Sequence, residues 1–167
     1  MALENFNYAV QWSKFKEISR DPSGGTMDAE TVTEYQANNR KIAKKGNAVV
    51  YVSASVKIFV NSQVSWALKG HTNADLLKHE QGHYDISALA ARTFYNSVLK
   101  LSAPDINALE EASKKLNAEM QTKIEDVNKR YDIQTSHSRN KTEQNKWNKA
   151  IEMEKKNAYG NIDNLPL

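Results

Sequence analysis

The spacing of hydrophobic residues changes along the chain, from alternation in the first 70 residues to a helical period after residue 72. Alternating apolar and polar positions are typical of half-buried strands. Residues 49–60 alternate most clearly, and segments 6–12, 30–38 and 63–68 are predicted as further strands. The apolar face predicted for 49–60 consists of Val50, Val52, Ala54, Val56, Ile58 and Val60. The pattern indicates a small antiparallel sheet in the N-terminal part of the chain.

Three helices are predicted after this strand-rich region. In the first, Thr72 is the expected N-cap and Asp75 completes a capping box, and the helix continues to about residue 100. Turn residues at 102–105 restart the helical pattern, with Ser102 as the expected N-cap of the second helix. A predicted loop at 131–140 separates it from the third helix, which ends near residue 157.

Strands followed by helices predict an α+β fold, organised as one domain over residues 1–167 with a strand-rich part at 1–70 and a helical part at 72–157. The formal charge is only +3 and basic residues are interleaved with acidic ones, so no nucleic-acid partner is expected. No apolar run approaches the roughly 18 residues of a membrane span, so none is predicted. Because cysteine is absent, a metal would have to be held by His, Asp or Glu. These features leave the oligomeric state open.

Residues 76–92, LLKHEQGHYDISALAAR, carry the candidate chemistry. His79 and His83 are four residues apart, which places both imidazoles on one face of a helix, where they can share one zinc ion. Glu80 lies beside such an ion, where a carboxylate can take a proton from water. Gly82 is unfavourable inside a helix, which suggests close approach by another chain segment or a substrate. Two hydrogen-bonded core histidines are the alternative, but a well-capped helix after a strand-rich half favours a metal site.

A catalytic zinc site needs a third protein ligand, and the two remaining histidines are His71 and His137. His71 precedes the first helix and is expected in a turn. His137 follows the second helix, whose end returns beside the N-terminal half of the first if the two are antiparallel, so His137 is favoured. Carboxylates that remain possible ligands are Asp132, Glu110, Glu111 and Glu119. Asp85 faces away from the metal, about 200° round the helix from the second motif histidine, and is expected to pair with Arg92.

These residues carry a resemblance to a known family. Segment 76–92 and the later stretch 130–151, RYDIQTSHSRNKTEQNKWNKAI, resemble a bacterial family usually described as secreted zinc-dependent-protease-like domains of unknown function. The helix of that family runs His-Glu-Gln-Gly-His, followed by an aromatic residue and Asp. In the later stretch the matching positions are Tyr131, Asp132, Thr135, His137, Gln144 and Trp147. The upstream segments VSWAL and WSKF fit the family as well.

The resemblance implies a zincin-like fold in which the zinc helix lies below a small sheet. It also supports His137 as the third ligand. The family usually has Gly directly after this histidine, whereas Ser138 stands here, which changes the backbone freedom of the loop. The family implies export, so a secreted or periplasmic location is expected. Because the start MALENFNYAV lacks the features of a secretion signal, a mature or trimmed chain is expected.

The predicted function is zinc-dependent hydrolysis of peptide bonds, with a peptide or protein as substrate. One Zn²⁺ held by His79, His83 and His137 would activate a water molecule, and Glu80 would act as the general base. Tyr131 is the candidate for a second electrophile beside the metal, although a buried tyrosine at a helix end is more commonly structural.

Other functions are compatible with the same ligands. The chain could be a zinc-bearing binding module without hydrolase activity, but such a site has no need of Glu80. It could also hydrolyse a non-peptide amide, for example in a cell-wall component. A helical module that contacts anionic surfaces is the weakest alternative, because acidic residues are interleaved with its lysines. For a peptide substrate, the strand at 49–60 is the expected exposed edge along which an extended chain would bind.

Overall fold

The computed structural model describes residues 3–166. Within this range a region of strands precedes a region of helices, so the predicted α+β class is confirmed. The strands are β1 (Leu3–Glu4), β2 (Lys16–Ile18), β3 (Ala29–Glu30), β4 (Thr33–Lys45), β5 (Ala48–Val60), β6 (Trp66–Leu68) and β7 (Ser102–Ala103). The helices are α1 (Ala74–Val98), α2 (Ile106–Thr135) and α3 (Lys141–Lys156), and short 3-10 helices occupy Trp12–Lys14 and Ile162–Asn164. No helix in this range is long and apolar enough to cross a membrane.

Among the described residues the strands form two small sheets. In the larger sheet β5 lies between β1 and β4 and also pairs with β7, and in the smaller sheet β6 lies between β2 and β3. The β4–β5 hairpin and the β3–β6 pair are antiparallel, whereas β1 runs parallel to β5 and β2 runs parallel to β6. The prediction of a purely antiparallel sheet is therefore wrong. The short N-terminal strands reach their partners through long connections, which permit parallel pairing.

Residues 6–12, predicted as a strand, do not form one. The backbone oxygen of Tyr8 accepts a hydrogen bond from Gln81 Nε2 at 3.1 Å, and the backbone N–H of Val10 donates to Gln81 Oε1 at 2.8 Å. A side-chain amide of α1 thus satisfies backbone groups that a neighbouring strand would otherwise pair with. The apolar side chains still pack, since Val10 is buried and the Tyr8 ring lies 5.5 Å from the Tyr84 ring.

The buried face of β5 changes halfway along the strand. Tyr51 is buried in the first part and Ala54 and Val56 in the second, whereas Val52 is 57% exposed. The pairing with β4 shifts register on both sides of Lys41. Because one extra residue reverses which side chains face the core, the prediction of a single continuous apolar face is wrong.

The strand β5 is also not the exposed edge predicted for a substrate, because it has partners on both sides. In the described part of the chain β3 and β4 each pair with one other strand, and both contact α1. These two strands are consecutive, and the segment between them touches the N-terminal half of α1 through Thr31 and Glu80.

Helix α1 is the central element, packed against β5 on one side and against α2 and α3 on the other. It begins one residue later than predicted, with Asn73 rather than Thr72 as the N-cap; the Asn73 side chain accepts a hydrogen bond from the backbone N–H three residues later. Asp105, rather than Ser102, is the N-cap of α2. The reason is that residues 102–103 pair with β5 and so cannot begin a helix.

Helix α2 continues through Thr135, further than predicted, so the expected loop at 131–140 is partly helical. Its last turn therefore carries Tyr131 and Asp132, and Thr135 Oγ1 donates to the Tyr131 backbone oxygen at 2.6 Å. The two long helices are antiparallel, as expected. His79 contacts Asp132. His83, one turn later on α1, contacts Asn128, one turn earlier on α2, so the two helices run in opposite directions.

The polar side chains on the opposite face of α1 bind α3. Asp85 pairs with Lys155 at 2.6 Å, so the predicted pair between Asp85 and Arg92 is wrong. The Arg92 guanidinium instead donates to the backbone oxygens of Glu154 and Lys155. The end of α3 therefore lies across this face of α1. Its Lys155 ammonium group binds the Asp85 carboxylate, and its backbone carbonyl groups bind the Arg92 guanidinium.

Candidate metal centre

Two histidine rings meet on the face of α1 that packs against α2. His79 and His83 are one turn apart, and their Nε2 atoms lie 3.2 Å from each other. Both residues are buried. The predicted pairing of these two side chains on one helix face is therefore present in the structure.

Each of these rings is held at its other nitrogen by a side-chain amide. His79 Nδ1 lies 3.0 Å from Gln144 Oε1, and His83 Nδ1 lies 2.9 Å from Asn128 Oδ1. The Gln144 amide is oriented by its own contacts, because its Nε2 donates to the Tyr131 hydroxyl. An amide oxygen can only accept a hydrogen bond, so both rings are assigned a proton on Nδ1, which leaves a lone pair on each Nε2 in the neutral form.

A carboxylate and a third histidine complete the cluster. Asp132 Oδ1 lies 3.0 Å from His83 Nε2, 3.1 Å from His79 Nε2 and 3.4 Å from His137 Nδ1. One oxygen atom is thus shared by three rings. Ligand atoms of His79, Asp132 and His137 lie within 4.8 Å of one another, so the structure brings His137 to the first motif histidine and brings in Asp132, which the sequence left among the alternative ligands.

The electrostatics of the cluster favour positive charge at the point where the rings meet. Burial alone would lower the pKa of His83, but the Asp132 carboxylate, with contributions from Glu80 and Asn128, raises that pKa to about 9. Burial alone would raise the pKa of Asp132, but His83 and His79 hold it well below its usual range. Both shifts have the same origin, which is the attraction between an imidazolium and a carboxylate at short distance.

The donor set fits a metal ion. Two Nε2 lone pairs and a carboxylate oxygen at 3.0–3.2 Å repel one another unless a proton or a metal cation lies among them. Imidazole nitrogens and carboxylate oxygens are the ligands that zinc takes in a chain without cysteine. Metal-ligating histidines also characteristically donate their second ring N–H to an oxygen acceptor, as the two motif histidines do here. The residues present therefore fit a zinc ion.

The carboxylate of Glu80 lies in the same cleft and is fixed from the sheet side. Glu80 is 1% exposed, and its Oε2 accepts a hydrogen bond from Thr31 Oγ1 at 2.6 Å. Thr31 belongs to the segment between β3 and β4, so the sheet orients the carboxylate while α1 fixes its backbone. Such a carboxylate can accept a proton from a water molecule in the cleft.

Tyr131 lies beneath the histidine cluster rather than in the cleft. Its ring stacks on that of His79 at 4.6 Å, and its hydroxyl donates to the His79 backbone oxygen at 3.1 Å and accepts from Gln144 at 2.6 Å. Burial raises the pKa of Tyr131 well above its usual range. The ring occupies the space left by Gly82, where an added Cβ would lie 2.6 Å from the Tyr131 Cζ atom. Close approach by another chain segment therefore explains the glycine.

A cleft of about 790 Å³ opens above the cluster. One wall is formed by residues 27–34, which include β3 and the start of β4, and the facing wall by α2 from Gln121 onward. The lining includes Glu80 and Asp132 together with the three clustered histidines, but not Tyr131. The catalytic carboxylate and metal ligands predicted from the sequence thus share one cleft, and the Tyr131 hydroxyl points elsewhere.

Residues 8–138 match a family model described as a bacterial protein of unknown function, DUF922. The match covers most of the chain and includes every residue of the cluster. The chain belongs to the DUF922 family. The family description assigns no activity, so zinc-dependent proteolysis and export stay predictions. No curated protein and no solved structure matches the chain.

The DUF922 match ends in a loop with unusual backbone geometry. Ser136, His137 and Ser138 have φ angles of 50°, 49° and 73°, all in the left-handed region. This turn closes α2, because the backbone N–H groups of Ser136 and His137 both donate to the Asp132 oxygen. A left-handed conformation costs an L-residue about 1–2 kcal/mol, a cost that glycine avoids. The positive φ at Ser138 thus gives a physical basis for the glycine expected there from the resemblance.

Replacing Ser138 by glycine is expected to stabilise the metal-free protein. Relief of the left-handed strain is partly offset by the greater freedom of glycine in the unfolded chain, so we expect Ser138→Gly to raise the free energy of unfolding by up to about 1 kcal/mol. Urea denaturation measures this change. Ala118→Gly, at an exposed position within α2, is the control and should lower stability by about 1 kcal/mol. A destabilised Ser138→Gly would contradict the backbone explanation.

Sequence reasoning missed the residues that orient the cluster, namely Asn128, Gln144 and Thr31. Asn128 precedes Asp132 by four residues and would have been found on the same helix face had α2 been extended past residue 131. Gln144 is a position that matches the resembled family, but nothing in its spacing indicates a role. Thr31 gave no local signal, because it is 49 residues away from its partner Glu80.

Proposed function

We propose that the chain is a zinc-dependent peptidase with a zincin-like arrangement, in which His79, His83 and His137 hold one Zn²⁺. The observation that carries this proposal is the pair of Nε2 atoms 3.2 Å apart, on rings whose Nδ1 atoms are both held by amide oxygens. In the metal-free protein a proton on His83 Nε2, whose pKa Asp132 raises to about 9, lies at this point, and a metal cation would replace that proton. A zinc ion bound there would polarise the scissile carbonyl and activate a water molecule as the nucleophile.

Glu80 is the proposed general base. Its buried carboxylate accepts the proton of the attacking water and later delivers it to the leaving amine. Thr31 is a positioning residue, because its hydroxyl holds one carboxylate oxygen and leaves the other for the water. Tyr131 is a positioning residue as well. Its hydroxyl is bound to the backbone of His79, so the proposal does not include it as an electrophile.

The zincin-like part of the proposal rests on the position of the sheet edge relative to α1. β3 and β4 present free edges, and the 27–34 segment forms one wall of the cleft beside Glu80. An extended peptide or protein chain could bind along this wall by strand addition, with the scissile bond over the histidines. The resemblance of the motifs to exported proteins supports a secreted or periplasmic location.

Metal analysis tests this proposal. We expect protein reconstituted with zinc and then desalted to contain one zinc ion per chain, because the donor set is preformed. His79→Ala should abolish stoichiometric zinc, and His137→Ala should weaken zinc binding markedly. His71→Ala is the matched control, since His71 is exposed and is not among the residues that line the cleft. Absence of zinc from the reconstituted wild-type protein would refute the proposed metal site.

A second candidate function is a zinc-bearing binding module without hydrolase activity. One observation favours it, namely that Asp132 adds a fourth donor to the three histidines. Four protein ligands make a closed, structural zinc site, whereas a catalytic site keeps one position open. Both functions require the same metal ion. They differ in whether one coordination position of that ion opens to water and substrate.

A further inference from the structure

We propose that Asp132 is a fourth, exchangeable ligand of this site, whose carboxylate completes the coordination at rest and is displaced when water or a substrate binds. The inference rests on the proposed zinc site and deepens it. It starts from the position of one atom, Asp132 Oδ1, within 3.0–3.4 Å of three ring nitrogens.

With four protein ligands, a catalytic site must exist in two states, one with all four ligands bound and one with a coordination position open to water or substrate. Three imidazoles and one carboxylate supply the four ligands that satisfy tetrahedral zinc. Hydrolysis then needs one of them to leave or the coordination to expand. The ligands at the two ends of the site differ in how they are held, since His79 and His83 lie within α1 whereas Asp132 and His137 lie at the end of α2.

The two motif histidines are constrained. His79 and His83 are bound at Nδ1 by Gln144 and Asn128, and their side chains are 2% and 10% exposed. Turning either ring away would break a buried hydrogen bond and leave a polar atom unpaired, at a cost of about 1–3 kcal/mol. They are therefore permanent ligands.

The Asp132 carboxylate lacks such a support. Among the described residues its contacts are limited to the three rings, and its side chain is 26% exposed toward the cleft. Permanent carboxylate ligands are normally held by hydrogen bonds of their own. Asp132 can thus exchange its contacts with the rings for contacts with water in the cleft.

The backbone of Asp132, in contrast, is fixed. It lies in the last turn of α2, next to the buried Tyr131, and its carbonyl oxygen accepts the N–H groups of Ser136 and His137. Displacement therefore requires only rotation of one side chain, a fast motion, and no movement of a helix. The side chain of His137 is 35% exposed, but its backbone is held at the end of α2 by the bond from its N–H to the Asp132 carbonyl oxygen.

Competition with a small anion tests the inference. The metal-free protein is loaded with Co²⁺, whose visible absorption reports its ligands, and titrated with azide. We expect azide to bind Asp132→Asn and Asp132→Ala more tightly than wild type. The gain should be about tenfold if the carboxylate occupies the fourth position about nine-tenths of the time. Azide affinity should rise in both variants. Asp132→Asn retains the size of the side chain, so a gain in that variant cannot come from added space alone.

Loss of a negative charge could by itself favour an anion, and Glu125→Gln controls for this. Glu125 lines the same cleft, is exposed and belongs to the same helix, so its replacement should change azide affinity little. If both Asp132 variants bind cobalt but their azide affinity is unchanged or weaker, Asp132 is not an exchangeable ligand. The proposed metal site would then still stand. A wild-type protein that binds no cobalt and no zinc would overturn the metal site itself, and with it this inference.

Discussion

Gly82→Ala is expected to destabilise the protein by roughly 1–3 kcal/mol, although alanine is the better helix former. The added Cβ would lie 2.6 Å from Cζ and 2.9 Å from Cε1 of Tyr131 and would overlap the hydroxyl oxygen. That ring cannot move freely, because it is fully buried between His79, His83 and Trp147. Thermal or urea denaturation of the metal-free protein gives the change.

The same substitution should weaken zinc binding. Displacing Tyr131 would also displace the adjoining Asp132 and the Gln144 amide that holds His79. The double variant Gly82→Ala with Tyr131→Leu, compared with Tyr131→Leu alone, is the matched test, because Gly82→Ala should cost much less stability once the ring is absent. An unaltered stability in Gly82→Ala would contradict the close packing of Tyr131 against α1.

Glu80→Gln is expected to reduce peptide hydrolysis by roughly 10²- to 10⁴-fold while zinc remains bound. The amide keeps the shape of the side chain and its contact with Thr31 but cannot accept a proton from water. The measurement combines cleavage of a mixture of internally quenched peptides with zinc content on the same samples. Retained zinc with lost cleavage is the signature of a general base.

Glu125→Gln is again the control, since it removes a carboxylate from the cleft wall without touching the histidines. Cleavage that persists in Glu80→Gln at the wild-type rate would exclude Glu80 as the base. If zinc-loaded wild type cleaves none of the peptides, the binding-module function becomes the better account of the same ligands.

The helical half and the pairing of its two motif histidines were predictable because their signals are local. The period of three to four residues that marks α1 also puts His79 and His83 on one face, so the motif and its helix support each other. The position of His137 followed from one added assumption, that two long consecutive helices are antiparallel. These predictions depend on spacing within the helices and on one simple packing rule.

The sheet and the outer contacts of the cluster depend on long-range pairing and were not predictable in the same way. Alternation along 6–12 is real, but Gln81, some seventy residues away, binds its backbone. Alternation along β5 is interrupted by register shifts that only the partner strand reveals. The roles of Gln144 and Thr31 likewise arise from contacts 65 and 49 residues apart, for which a single sequence carries no periodic signal.

The bond between Gln144 and His79 would link the third helix thermodynamically to a metal ion bound at the proposed site. Gln144 lies on α3, beyond the 8–138 segment that defines the family match, yet it determines which nitrogen of His79 carries the proton. Any free energy by which a docked α3 improves metal affinity must equally improve the docking of α3 when metal binds. Amide hydrogen exchange in α3 should therefore slow on metal binding, which makes this helix a reporter of metal occupancy.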